Sequence, residues 1–456
     1  MKLLFLVQLL ALSLPNIFSN DMIFQQGRAV PVWGQADPSA AVTVTLFNEQ
    51  SGASVAKVKT KADKQGNWTL NLPAMKAEGQ SLKMTVVSKK ENLEYANIAV
   101  GEVWLCSGQS NMAYSMRRGF NMAPPRKGED LAALELEKPA NPSVRVYLCG
   151  GGRPGAPGPS WKIADGQSLP QISAIGYFFG KDLAEDLNVP VGIISASSGG
   201  SAIAQWMPDG MLYNMQLKPI MPFAIGGFLW YQGETDLATG TPNYLDLYVT
   251  MTKDWREKFN SPDAPFYSVL LCPHTYSDRL HRGNFVTSEG LPKFWMLQLE
   301  AAAAIENSEA IFNSDLVDNL EDIHPSYKWI VGRRLANLAL AKKYNVENAA
   351  EWSGPRAESV RTEGGKAIVT FSHCADGLKA KSNSVEPNST PRVKWFEVAG
   401  ADGVWHQAFA EIAGPNEVAV SHPEVANPVH VRFAWRETAQ PNLFNSADLP
   451  AFPFNL

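Results

Sequence analysis

Val100-Gly-Glu-Val-Trp-Leu-Cys-Ser-Gly-Gln-Ser-Asn-Met112 is the stretch on which the reading of this chain turns. Residues 103–106 have the length and residue types of a buried strand. Ser107-Gly108 stops the run, and Gln109, Ser110 and Asn111 suit a sharp turn into a helix. Such a junction lifts one side chain to the carboxyl edge of a parallel sheet, where open α/β folds bind ligands. Ser110 is the candidate nucleophile at that edge. A serine at a strand-to-helix turn also caps helices, and on this stretch alone capping is the commoner role.

Working outward, residues 101–345 alternate apolar strands with helical stretches. Strands are expected at 144–148, 190–196, 227–231, 266–271 and 310–313. Helices are expected at 173–187, 244–259, 293–306 and 325–344, the last with Pro325 in its first turn. Alternation sustained this long predicts a doubly wound parallel sheet with helices on both faces, an α/β unit over 100–347. The segment 150–159 carries Gly and Pro without a phosphate-loop pattern and reads as a surface loop. Short β-branched or alternating runs punctuated by Gly, Asp and Asn fill 14–99, and again 348–456 with a polar loop at 378–390. Both flanks are expected to be β-sandwich regions, the second packing with the first.

The chain has 456 residues, 45% hydrophobic and 19% charged, with a formal net charge of −5. That is ample material for a core. Lys and Arg form no basic run, which argues against nucleic acid or an anionic membrane surface as partner. Lys2, the apolar run 3–12, and small Ala11 and Ser13 read as a signal peptide over 1–13, cut after Ser13. The run is too short to span a bilayer. The mature protein is therefore expected to be secreted or periplasmic and free of membrane. Cys106, Cys149, Cys272 and Cys374 permit disulfides in an exported chain, but three of them end apolar runs and read as buried thiols. No two are spaced as C-x-x-C. Asp315, Asp318, Glu321 and Asp322 lack the spacing of a calcium loop. No metal and no cofactor is assigned, and oligomeric state is not addressed.

A serine nucleophile needs a base, and the base an orienting group. Of seven histidines, His324 in Leu320-Glu-Asp-Ile-His-Pro325 stands between a strand and a helix on the edge where Ser110 is expected. Asp322 and Glu321 precede it closely enough to fold back onto Nδ1 and leave Nε2 for the serine. Equally, Asp322 caps the next helix and His324 is a plain loop residue. Ser195-Ala-Ser-Ser-Gly-Gly-Ser201 follows a strand and offers backbone N–H groups for half an oxyanion hole. Trp230-Tyr-Gln-Gly-Glu-Thr-Asp236 ends another strand. There Gln232 is a candidate oxyanion donor, while Glu234 and Asp236 hold nearby loops or serve as a glycosidase acid. All these blocks fall after strands of one α/β unit, so they can meet on one edge.

Gly108-Gln-Ser-Asn-Met112, Gly199-Gly200, Trp230-Tyr-Gln-Gly-Glu234 and Asp322-Ile-His-Pro325 resemble the blocks of sialate O-acetylesterase-like carbohydrate esterases, within the SGNH hydrolase superfamily. Outside the α/β unit, Asp21-Met-Ile-Phe-Gln-Gln26 with Val30-Pro-Val-Trp-Gly34 resembles the family's N-terminal β domain. Asn442-Leu-Phe-Asn445 with Leu449-Pro-Ala-Phe-Pro-Phe454 resembles its C-terminal end. The serine block is not the G-x-S-x-G elbow, because Met112 stands in place of the second glycine. The resemblance implies a serine esterase acting on an O-acetylated carbohydrate, either sialic acid or acetylated xylan or xyloglucan. It implies Ser110 as nucleophile, His324 as base, and oxyanion donors at the Ser110 N–H, Gly199 or Gly200, and Gln232. Gln232 departs from the superfamily's usual Gly-x-Asn block. The Asp-Ile-His-Pro match points to Asp322 as the acid, while Glu321 holds the position three residues before the histidine. Gln109, Asn111 and Glu234 are expected to meet the substrate. A carbohydrate-binding protein with a dead esterase site is the alternative of a different class, and a glycosidase the weaker one.

Overall fold

The computed structural model describes residues 11–119, 122–150, 159–279, 286–381 and 392–456. Most of the expected 150–159 loop, residues 1–10 of the expected leader and 382–390 of the expected polar loop lie outside them. Among the described residues the central sheet runs Ser308–Ile311, Phe266–Val269, Gly227–Tyr231, Glu91–Gly108, Val191–Ser197, Asn141–Leu148, Trp161–Ala164. Every pairing is parallel except the last, an antiparallel edge. The inner strands are buried along their length, as sheets covered on both faces require. One covering helix, Ala174–Leu187, is capped by the Ser173 hydroxyl, which accepts the Gly176 N–H at 3.1 Å. It packs on Lys328–Lys342 so closely that a Cβ on Gly332 would sit 2.9 Å from the Phe179 nitrogen.

The strand Glu91–Gly108 joins two sheets. Its first half pairs antiparallel with Leu82–Ser88. Ala99 to Gly101 pair with Ile23–Gln25. From Glu102 it pairs with Val191–Ser197. The boundary expected at 99/100 thus falls inside one continuous strand, at the point where its partners change. Buried Glu102 fixes that point: its carboxylate accepts from Gln25 at 3.1 Å, Gln26 at 3.0 Å and the Tyr344 hydroxyl at 2.7 Å. The N-terminal flank alternates buried and exposed residues, clearly at Asn67–Leu72, as one-sided sheets do. Leu12 is buried, and Ser13 pairs with Gln35, so the last two residues of the expected 1–13 leader are packed into this flank.

Among the described residues, the C-terminal flank forms two four-stranded antiparallel sheets and a two-stranded one. It packs against the α/β unit, where the expectation had it against the N-terminal flank. Phe452 meets Phe312 with ring centroids 5.7 Å apart, and Arg356 pairs with Glu309 at 3.0 Å. All four cysteines are free and buried: Cys106, Cys149 and Cys272, which end apolar runs, and also Cys374, which carried no such signal. No helix among the described residues is long and apolar enough to cross a membrane.

Candidate active site

Gly108 lies level with both Ser197 and Tyr231, the last residues of the two neighbouring strands. The loops that follow all three strands therefore leave the sheet together. Gly108 has φ +133°, and a Cβ there would stand 2.1 Å from the Tyr231 carbonyl oxygen, so only glycine turns the chain here. The Gln109 N–H donates to that carbonyl at 2.9 Å, and a one-turn helix, Ser110–Ala113, follows. Between buried Gly108-Gln109 and Asn111-Met112, Ser110 alone reaches solvent. A Cβ on Gly199 would be 3.8 Å from the Ser110 Cβ, which places the exposed Gly199-Gly200 turn beside the serine. No acceptor among the described residues takes the backbone N–H of Ser110, Gly199 or Gly200.

His324 is partly buried on the loop before Lys328–Lys342. Its Nε2 is buried and has no hydrogen-bond partner among the described residues. Asp322 is the acid beside it. One carboxylate oxygen accepts the His324 backbone N–H at 2.9 Å and stands 3.7 Å from Nδ1, beyond hydrogen-bond reach. Burial lowers the His324 pKa below its ordinary 6.5, and the charges of Lys328 and His274 push the same way against Asp322.

Three expected substrate contacts and one expected donor are instead buried scaffolding. Gln109 Oε1 accepts from the Gly233 N–H at 3.2 Å and from Gln232 at 3.3 Å. Gln232 is buried, and its amide nitrogen also donates to the Ser201 carbonyl at 3.0 Å and to Asp236. Asp236 in turn accepts the Ile203 N–H at 2.9 Å. Gln232 and Asp236 thus brace the turn that carries Gly199 and Gly200, and the Gln232 amide is not turned to an oxyanion. An amide with two N–H groups is already committed by these partners. Asn111 donates to Glu234 Oε1 at 2.6 Å and to the Ile323 carbonyl at 3.0 Å. Glu234 is sealed beneath, and burial raises its carboxyl to about 7.

Lys328 escaped the sequence reading. It opens a helix, where a lysine is ordinarily exposed, yet it is 1% exposed and donates to Asn111 Oδ1 at 2.6 Å. Burial lowers its pKa to about 8. No local signal marked it, since His324 lies on a loop and the helix begins only at Lys328. The C-terminal flank also reaches this region. The Glu437 carboxylate accepts the Ser277 N–H at 2.9 Å, and its carbonyl accepts the His274 N–H at 3.0 Å. A cleft of about 1150 Å³ elsewhere on that flank, beside Trp395 and Phe409, contains none of these residues.

The family model for carbohydrate esterases of the sialic acid-specific acetylesterase type matches residues 100–340, more than half of the chain. The chain belongs to that family. The family segment begins in the Glu91–Gly108 strand and ends in the Lys328–Lys342 helix, so it encloses Ser110 and His324. Beyond the segment, the chain is 26% identical to human sialate O-acetylesterase, over 96% of this chain and 91% of that one. It is 24% identical to the mouse sialate O-acetylesterase, over 78% of each. A crystal structure of a carbohydrate acetylesterase from Xanthomonas citri superposes with a TM-score of 0.81 at 28% identity, covering 98% of this chain and 99% of that one. The flanking β regions are therefore part of the shared architecture, not additions to it.

Proposed function

We propose that the chain is an exported serine esterase that removes O-acetyl groups from carbohydrates, with Ser110 as nucleophile and His324 as base. One observation carries this reading. Ser110 is the solvent-facing residue of its turn, beside Gly199, and its neighbour Asn111 bonds directly to Ile323, next to a histidine whose Nε2 is unpartnered. Ser110 Oγ attacks the acetyl carbonyl while His324 Nε2 takes the hydroxyl proton. The backbone N–H groups of Ser110 and of Gly199 or Gly200 stabilise the tetrahedral oxyanion, each worth roughly 10²–10³ in rate. The C–O bond to the sugar breaks, His324 returns the proton to the departing hydroxyl, and acetyl stays on Ser110. Water, activated by the same imidazole, then releases acetate. Asp322 orients the imidazole as the loop tightens on substrate, since such bonds are often long in the empty enzyme.

The sugar is O-acetylated sialic acid or an acetylated plant polysaccharide, xylan or xyloglucan. The flanks are β-sandwich regions, and the leader is removed on export with a cut before Leu12 and Ser13, which belong to the folded flank. Acetate release measured across acetylated sialosides, xylan and xyloglucan identifies the substrate. The same assay on an aryl acetate tests the chemistry: Ser110→Ala is expected to lose roughly 10⁴- to 10⁶-fold in kcat. Wild-type turnover in that variant rejects the mechanism, and sugar released in place of acetate rejects the reaction class.

A further inference from the structure

Beneath the serine and the histidine lies a layer that the esterase mechanism above does not use. Asn111 follows Ser110 in the chain, and Ile323 precedes His324. The Asn111 amide joins them, donating to the Ile323 carbonyl at 3.0 Å and to Glu234 at 2.6 Å. Its oxygen accepts from Lys328 at 2.6 Å, so the amide has no freedom to flip. The Lys328 ammonium stands 4.9 Å from the Tyr114 ring centroid and 5.5 Å from that of Tyr231. Burying an ammonium is costly unless something compensates or uses it. Glu234 does not compensate fully: its Oε2 is buried without a hydrogen-bond partner, and burial favours its neutral acid. With its pKa lowered only to about 8, Lys328 is still largely protonated at neutral pH, and its charge acts on His324 against the imidazolium.

We propose that Lys328 is a positioning residue: through Asn111 it locks the nucleophile turn to the histidine loop, and its buried ammonium opposes a second positive charge on His324. The inference rests on the serine-histidine reading above. Each charged or titratable group that faces His324 has a defined direction. Asp322, on the same loop, favours the imidazolium, while Lys328, on the following helix, and His274, on the loop after the Phe266–Val269 strand, oppose it. Glu234 bears on Lys328 rather than on His324. A rigid link of this kind matters because a misplacement of about 1 Å between reacting groups costs on the order of 10²-fold in rate.

The test is kcat and KM on an aryl acetate from pH 4.5 to 9 for the full chain, Lys328→Met, Lys328→Arg and Ser110→Ala. In Lys328→Met the acid limb of kcat/KM is expected to move up by roughly half a pH unit or more. Its kcat falls about tenfold while KM stays near the wild-type value. Lys328→Arg keeps the charge and restores the limb. A folded Lys328→Met with an unmoved limb overturns the inference, as does a limb that moves equally in Lys328→Arg. Should Lys328→Met fail to fold, Asn111→Leu cuts the link and leaves the charge. A loss of kcat with the limb in place supports the inference, and an unchanged kcat overturns it. Ser110→Ala separates the two levels: activity there sinks the serine mechanism itself, whereas an inactive Ser110→Ala with an unmoved Lys328→Met limb sinks only the role of Lys328.

Discussion

The serine block and the histidine loop are held in opposite ways. Gly108 ends a central strand, paired on both sides in fixed register, and turns the chain into Gln109 to Met112 with a backbone conformation that only glycine permits. Its geometry is settled within a few residues by main-chain hydrogen bonds and sterics. Residues 319–327 follow an edge strand and have no sheet partner of their own. They are positioned by borrowed contacts: Asn111 on Ile323, the Thr275 N–H on the Leu320 carbonyl at 3.3 Å, and Asp322 on the His324 N–H. The serine's position is thus a property of the sheet, and the histidine's a property of the assembly around it. Changes to the first should act through folding or abolish the chemistry, and changes to the second should tune it.

The largest effect expected on the serine side after loss of Ser110 itself is Gly108→Ala. Placing a Cβ 2.1 Å from a carbonyl oxygen at φ +133° should destabilise the fold by roughly 3 kcal/mol or more, read by denaturant unfolding. A variant of wild-type stability would break the contrast. On the histidine side, Asp322→Asn should keep the fold and lower kcat by roughly 10- to 100-fold, short of the Ser110→Ala loss, because Nδ1 and Oδ1 are 3.7 Å apart. It should also move the acid limb down in pH, since the carboxylate favours the imidazolium that desolvation and Lys328 oppose. In the wild type, kcat/KM should fall only below pH 6.5, because the base must lose its proton to act and its pKa is depressed. A half-maximum above 6.5 would contradict the buried environment. The smallest effect belongs to the thiols: with all four cysteines free and buried, reductant should leave Tm unchanged, and a thiol reagent should react only on unfolding.

Legibility followed the same division. The strands at Gly227–Tyr231 and Val191–Ser197 and the helix Ala174–Leu187 were readable to within a residue, because their hydrophobic runs are long and their stops local. The exposed strand Ser54–Lys61 was missed: five of its eight residues are Ser, Lys or Thr, and its pattern carries little apolar contrast. The helix expected from Pro325 begins at Lys328, since residues 325–327 serve the histidine loop. Gln109, Asn111 and Gln232 were read as facing substrate or oxyanion because polar residues beside a nucleophile ordinarily do. The burial of Gln109 and Asn111 depends on partners 123 or more residues away, such as Glu234 and Ile323 for Asn111, which no local pattern displays, while Gln232 is turned inward by Ser201, 31 residues away, and by Asp236 in its own block.

By itself, the sequence determined that an α/β sheet lies between two β flanks, that Ser110 follows its central strand, and that His324 and two further loops share that strand's edge. These follow from periodicity, from glycine at a turn, and from the rule that parallel strands present their carboxyl ends together. The tertiary structure alone decided which polar residues stay open at that edge and which bear the load beneath it. It buried Lys328, closed Asn111 against Glu234 and Ile323, and turned the Gln232 amide inward. The physical reason is that burial and hydrogen-bond satisfaction are decided by side chains from distant parts of the chain, and a buried polar group takes its role from whatever partner the fold brings to it.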